Sequence, residues 1–167
     1  VVLRMLPGIH RPALASVFPS MHGSTVMLDL GANVLVDAET LTQFAVLGAV
    51  FARAHKGIQV PTVGLLNVGS EEMKGPDHVR AAHNILSKVD FPGQYKGFVE
   101  GDDITKGTVD VVVCDGYAGN IALKTGEGVG RMMAQFMGGL SRSGRTDGDG
   151  MYRVNGLPGG ARNVTVD

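Results

Sequence analysis

Four short apolar runs in this chain each give way to glycine and polar residues, and this repeated punctuation constrains the fold most. Val26–Leu30 precedes Gly31-Ala32-Asn33, and Val63–Val68 precedes Gly69-Ser70-Glu71-Glu72-Met73-Lys74-Gly75. Gly97–Val99 precedes Glu100-Gly101-Asp102-Asp103, and Val109–Cys114 precedes Asp115-Gly116-Tyr117-Ala118-Gly119-Asn120. Runs that stay apolar without alternation read as strands covered on both faces, as in a mainly parallel sheet. Ligands of open α/β sheets bind at the carboxyl ends of the strands. Here those ends hold most of the chemically useful side chains, so a small-molecule or enzyme site is the leading reading.

Composition narrows the alternatives. Fifteen basic and sixteen acidic residues leave a formal charge of −1, which gives no bulk attraction to nucleic acid. Trp is absent and aromatics are few, so a base-stacking platform is disfavoured as well. Cys114 is the single cysteine, which rules out an internal disulfide and a Cys-rich zinc site and suits a reducing compartment. No apolar run approaches the roughly 18 residues of a spanning helix. The opening Val1-Val2-Leu3-Arg4-Met5-Leu6 resembles neither an initiator region nor a signal peptide. It reads as the end of a helix whose beginning is missing, and the chain reads as a fragment.

The element order follows from local signals. Pro12–Phe18 and Val26–Leu30 read as strands around a turn at Ser20–Ser24, and a hairpin there makes the sheet mixed. Asp37 is placed to cap a helix reaching about His55, with Gly57 as its stop. Leu41, Phe44, Ala45, Gly48, Phe51 and Ala52 share one face of it, while Val46, Leu47 and Val50 are apolar on another, so this helix is read as a subunit contact or as buried. Pro76 suits the first position of a second helix carrying Val79, Ala82, Leu86 and Val89. A third opens at Gly119 or Asn120 and reaches about Met137 or Gly138, with Met132, Met133, Phe136, Met137 and Leu140 as an apolar stripe. The order gives an α/β class, with a mainly parallel sheet flanked by helices. Residues 1–140 read as that domain, and 141–167, rich in Gly and Arg, as an irregular or disordered tail.

Three constellations can carry chemistry. Asp115 through Lys124 couples a glycine-bearing turn to a helix start, where free N–H groups and the positive dipole end favour anions. Asn120 and Lys124, four apart, share a helical face there. The bland reading of the same residues is a capping Asn and a solvated Lys paired with Glu127. Asn67 through Gly75 is a polar loop in which Lys74 can meet a phosphate or carbonyl oxygen, or be an ordinary surface charge. It is not the nucleotide-hydrolase phosphate loop, since no Gly-Lys-Ser/Thr follows at the required spacing. Asp29 and Asn33 put a carboxylate and an amide at a strand end, where Asp29 either orients a Lys, accepts a substrate proton or forms a turn. Glu100, Asp102 and Asp103 read as caps rather than a metal site, because hard cations need several converging oxygens. The five histidines show no ligand spacing, and Cys114 reads as a small core residue. No Gly-x-Ser-x-Gly is present, which favours chemistry without a covalent protein intermediate.

These stretches, taken in order, resemble a known family. Gly8-Ile9-His10-Arg11-Pro12-Ala13-Leu14-Ala15, Leu28-Asp29-Leu30-Gly31-Ala32-Asn33 and Val63-Gly64-Leu65-Leu66-Asn67-Val68-Gly69 look like the PlsX-type phosphate acyltransferases. So do Glu71-Glu72-Met73-Lys74-Gly75, Glu100-Gly101-Asp102-Asp103-Ile104 and Asp110 through Gly116, continuing by Gly119-Asn120 to Leu123-Lys124. The resemblance spans about residues 1–140. It implies an isocitrate/isopropylmalate dehydrogenase-like fold, incomplete here, used as a homodimer in the cytoplasm with peripheral membrane contact. It implies transfer of a fatty acyl group from acyl carrier protein to inorganic phosphate, giving acyl phosphate for phospholipid synthesis, with no cofactor. Lys74 and Asn120 match positions that contact phosphate or thioester, Asp115, Gly119 and Lys124 positions that bind or orient substrate, and Asp29 and Asn33 positions that shape the cleft. The family's N-terminal Asp-Ala-Met-Gly-Gly-Asp motif is absent, and 141–167 departs from its C-terminal pattern, as a truncated or frameshifted reading frame would. Two other classes stay open: an inactive remnant that dimerises or binds acyl carrier protein, and a nicotinamide-dependent dehydrogenase of the same fold. The latter is weakened by the lack of a Gly-x-Gly-x-x-Gly fingerprint.

Overall fold

The computed structural model describes residues 8–142, 144–146, 152–154 and 162–164, and the side-chain surroundings of 8–137. Five strands form one sheet: β1 (Ala15–Ser20), β2 (Gly23–Leu28), β3 (Thr62–Leu66), β4 (Gln94–Val99) and β5 (Val111–Val113). Their spatial order is β1-β2-β5-β3-β4. β1 and β2 are an antiparallel hairpin closing at Ser20 opposite Gly23, and the other three pairings are parallel. The sheet is therefore mixed and mostly parallel.

Both faces are covered, which is why the strand sequences do not alternate. The side-chain period of two sends Val26, Leu28, Val63, Leu65, Val111 and Val113 to one face. There they meet Leu41, Phe44, Ala45 and Ala49 of helix α1 (Ala38–Lys56) and Val79, Ala82 and Leu86 of helix α2 (Asp77–Leu86). Met27, Val112 and Cys114 face the other side, packed with Leu30, Val99, Val109 and Ile104. Ile104 comes from a short helix, α3 (Gly101–Lys106), and Ala118, Ala122 and Leu123 of helix α4 (Gly116–Arg142) complete that layer.

Helix α1 ends where local chemistry dictates. The Asp37 carboxylate accepts the Thr40 N–H at 2.8 Å, and Gly57 closes the helix by donating its N–H to Arg53. Leu41, Phe44, Ala45, Gly48 and Ala52 are buried as the periodicity requires, but Phe51 is 38% exposed and Val50 50%. Phe51 instead lines an apolar hollow of about 350 Å³ with Leu47, Leu28, Ile9, Pro12 and Ala13.

A polar knot ties the amino-terminal edge of the sheet. Lys56 donates to the Ser24 carbonyl at 2.6 Å and pairs with Asp110 at 3.3 Å. The other Asp110 oxygen accepts from the Thr62 N–H at 2.9 Å and its hydroxyl at 2.8 Å. These bonds join the starts of β2, β3 and β5 to the end of α1, away from the strand ends that carry the candidate site.

The chain divides into two compact units, Val1–Leu123 and Lys124–Asp167. In the second, Gly144–Thr146, Tyr152–Val154 and Arg162–Val164 (β6, β7 and β8) pair in an antiparallel sheet of three strands. The rest of 141–167 after Arg142, read from the sequence as an irregular tail, lies outside the described residues. So do Leu3–Leu6, read as a helix end.

Candidate functional site

Three loops meet at the carboxyl edge of the first unit's sheet, and each is fixed by its own hydrogen bonds. The loop after β2 is built on Asp29, which is fully buried. One of its oxygens accepts from the N–H groups of Leu14 at 3.0 Å and Ala32 at 3.1 Å. The other accepts from the Asn33 N–H at 2.6 Å and the Asn33 amide at 2.9 Å. Burial pushes this carboxyl toward its neutral form, but the bonds from Leu14, Asn33 and Ala32 outweigh it and hold its pKa below the ordinary value. Asp29 thus faces its own loop and β1, and shapes the cleft from beneath. Asn33 also donates to the Pro12 carbonyl at 2.8 Å.

The loop after β5 is locked to the first. Gly116 donates its N–H to the Asn33 carbonyl at 2.8 Å. Gly119 lies so close to the Asp29 carbonyl oxygen that any Cβ there would overlap it. The Asp115 carboxylate accepts the Ala118 N–H at 2.7 Å and so starts α4 at Gly116, ahead of the start at Gly119 or Asn120 that the sequence suggests. Three early N–H groups of α4, those of Gly116, Ala118 and Gly119, are consequently bonded within the fold. The helix end offers fewer free donors than expected, and anion binding falls more heavily on side chains. Asn120 lies over Gly31, where a Cβ would meet its Cβ and Oδ1 at 3.6 Å, and its amide is exposed.

The loop after β3 is organised by Asn67, a residue that spacing alone did not single out. Its side-chain amide donates to the Gly69 carbonyl at 3.1 Å and the Lys74 carbonyl at 3.0 Å, folding the loop back on itself. Gly75, at φ +92°, packs directly on the Asn67 side-chain Oδ1, a position no side chain could occupy. Lys74 stands exposed at the tip and pairs with Glu71 at 2.7 Å. Glu71 raises the ammonium's pKa, with Glu100 at the end of β4 adding to the effect. Lys74 is therefore held charged.

His78, also not singled out, connects this loop to the next. Its Nε2 stands 3.4 Å from the Asp115 carboxylate oxygen that does not cap α4. The structure therefore ties Asp29, Asn33, Asp115 and Gly119 together by hydrogen bonds and close approach, with Asn120 lying over Gly31 beside them and the Lys74 loop joined through His78. Lys124 belongs to the second unit, where it pairs with Glu127 at 3.2 Å. That is the arrangement expected of a solvated helix lysine.

The remaining candidates have local partners. Asp103 accepts the Glu100 N–H at 2.8 Å, and Asp102 pairs with Lys106 at 2.6 Å, so these acids cap and brace α3. Cys114 is buried, its thiol pushed up in pKa by burial and bonded to the Asp29 carbonyl at 3.2 Å, as befits a core residue. The loops after β2 and β3 also expose apolar side chains, Val34, Leu35, Val68 and Met73, as does the start of α4 with Tyr117 and Ile121. Polar groups and apolar surface thus alternate along one edge. Among the described residues no helix is long and apolar enough to cross a membrane.

The chain is 54% identical over 143 residues to a phosphate acyltransferase of Parvibaculum lavamentivorans, matching 86% of this chain and 40% of that protein. It is 57% identical over 136 residues to one of Rhodospirillum centenum, matching 81% of this chain and 38% of that protein. The chain thus spans about two fifths of the length of these curated relatives. The EutD phosphotransacetylase from Staphylococcus aureus shares its fold, with a TM-score of 0.61 and 20% identity over 75% of this chain and 44% of that one. The model of the fatty acid synthesis protein family matches residues 1–145, and the chain belongs to that family, the PlsX-type phosphate acyltransferases.

Proposed function

We propose that the protein to which this chain corresponds transfers a fatty acyl group from acyl carrier protein to inorganic phosphate. A phosphate oxygen attacks the thioester carbonyl carbon, the carbon–sulfur bond breaks, and the carrier thiol leaves. The product is an acyl phosphate, a precursor for phospholipid synthesis. Phosphate is already a competent oxygen nucleophile near neutral pH, so the protein has mainly to hold it in line and stabilise the oxyanion that develops. Lys74 supplies charge to phosphate or oxyanion, and the Asn120 amide supplies a donor. Asp115 and Gly119 orient the helix start that carries Asn120. The whole enzyme takes an isocitrate/isopropylmalate dehydrogenase-like fold and works as a homodimer in the cytoplasm, with α1 offering Val50 and Phe51 to the contact and with peripheral membrane contact.

The observation that carries this reading is the contact of His78, just after the Lys74 loop, with Asp115, which caps the helix carrying Asn120, at a strand edge that also exposes apolar side chains. An acyl phosphate and its precursors need both characters side by side. The test is acyl-phosphate release by the purified chain and by a version extended at its N-terminus with a relative's preceding segment. Lys74→Ala should lower turnover of the active version about 10²-fold. Unchanged turnover would remove Lys74 from the mechanism. The exposed Val50 and Phe51 of α1 favour one second reading, an inactive module that dimerises or binds acyl carrier protein. That reading predicts no acyl phosphate from the chain alone, but a dimer or a carrier complex on size-exclusion chromatography.

A further inference from the structure

We propose that His78 is a positioning residue that couples the Lys74 loop to the Asn120 loop, so that the two halves of the anion site are ordered together. His78 lies in the first turn of α2, directly after the loop that Asn67 folds around Lys74. Its Nε2 faces Asp115 at 3.4 Å, long for a hydrogen bond but within reach of one. Asp115 has a second task, because its other oxygen caps α4 through the Ala118 N–H at 2.7 Å. A single carboxylate thus holds the start of the helix carrying Asn120 and receives the side chain that follows Lys74. The two groups are 68% and 83% shielded from solvent, so their interaction is less screened than that of a surface pair. By contrast, Lys74 and Glu71 are both more than half exposed and lie within one loop, so they cannot carry this coupling.

The anion-binding part of the inference rests on the function proposed above; the coupling itself does not. Two readouts on the purified chain keep them apart. Amide hydrogen exchange at Lys74 and Ala118, whose N–H groups bond to the Glu71 carbonyl and the Asp115 carboxylate, reports loop order, with Val112 as a core control. Titration with inorganic phosphate, followed by thermal shift, reports the site. In His78→Ala, exchange at both loop amides should rise together by about fivefold or more while Val112 stays protected. His78→Gln, which places an amide donor at nearly the reach of Nε2, should restore protection. Phosphate affinity should fall in His78→Ala and return in His78→Gln. Loop protection unchanged in His78→Ala would overturn the coupling. So would a rise confined to the Lys74 loop, or a failure of His78→Gln to restore it with Val112 still protected. Absence of phosphate binding in the unmodified chain, with the exchange pattern as expected, would sink the functional reading and leave the coupling standing.

Discussion

At the scale of single residues, the candidate site depends on two groups that never need to touch a substrate. Gly119 allows α4 to lie on the Asp29 carbonyl, and a Cβ there would overlap that oxygen, which is backbone and has no rotamer to yield. Gly119→Ala should therefore destabilise the first unit by about 1–3 kcal/mol, the usual cost of overpacking, and displace Asn120. Urea denaturation measures the first effect, and an unchanged midpoint would contradict the close approach. Asp29 accepts four hydrogen bonds in full burial. Asp29→Asn keeps the volume but turns one acceptor into a donor that faces N–H groups. We expect a loss of about 1–3 kcal/mol, again read from the denaturation midpoint. The sequence showed that a carboxylate stands at this strand end; it could not show that all of its oxygen lone pairs are engaged by Leu14, Ala32 and Asn33. The roles of Asn67, which opens the polar loop, and of His78, one of the histidines without ligand spacing, are not legible in the sequence for a similar reason. An isolated Asn before a loop or a His on a helix has no periodic or spacing signature, and the His78 partner is 37 positions away.

At the scale of elements, what was legible was local. Asp37 and Gly57 mark α1 because caps act within a turn of the helix end, and both do what their residue types predict. The four apolar runs lie on strands because burial on both faces leaves a direct trace in composition. Helix α3 left no such trace. It is six residues long with Ile104 as its one buried residue, too short for a period to show. β4 runs from Gln94, earlier than the apolar Gly97–Val99, because as an outer strand it buries less. The start of α4 was misplaced because Gly116 and Gly119 look like turn residues, whereas Asp115 caps the helix ahead of both. Glycine remains costly further along that helix. A Cβ at Gly128 or Gly130 would meet nothing within 4 Å. Gly128→Ala and Gly130→Ala should each stabilise α4 by about 0.5–1 kcal/mol, seen as increased helical ellipticity at 222 nm. A fall in ellipticity would mean that these glycines serve a packing role in the helix.

At the scale of the whole first unit, two carboxylate knots, one buried at Asp29 and one half-buried at Asp110, hold opposite edges of one sheet, and together they contribute to its response to acid. Asp29 organises the carboxyl edge; Asp110 joins Thr62 and Lys56 at the amino edge. For Asp110, as for Asp29, burial works to raise the pKa but is outweighed, here by the bonds from Thr62 and Lys56 and the charge of Lys56. Both groups therefore titrate below their ordinary 3.8 in the folded chain. The unfolded chain then binds more protons than the folded one as the pH falls, so linkage makes stability drop with acidification. Their contribution is fully present above the unfolded value of 3.8, and is lost as the pH falls through the lower folded values. Denaturation midpoints measured in steps from neutral pH downward should hold level until near that value and then decline. Asp110→Asn should lower the neutral-pH midpoint and flatten the acid decline, because the substituted side chain no longer titrates. It should leave the loop order around Lys74 and Asn120 intact, since the amino-edge knot shares no bond with the site. If the acid slope of Asp110→Asn matched that of the unmodified chain, the linkage would have to come from other carboxylates, and the amino-edge knot would be only an exposed ion pair. If loop order also collapsed, the two edges would be mechanically one, and the site could not be understood from its own three loops.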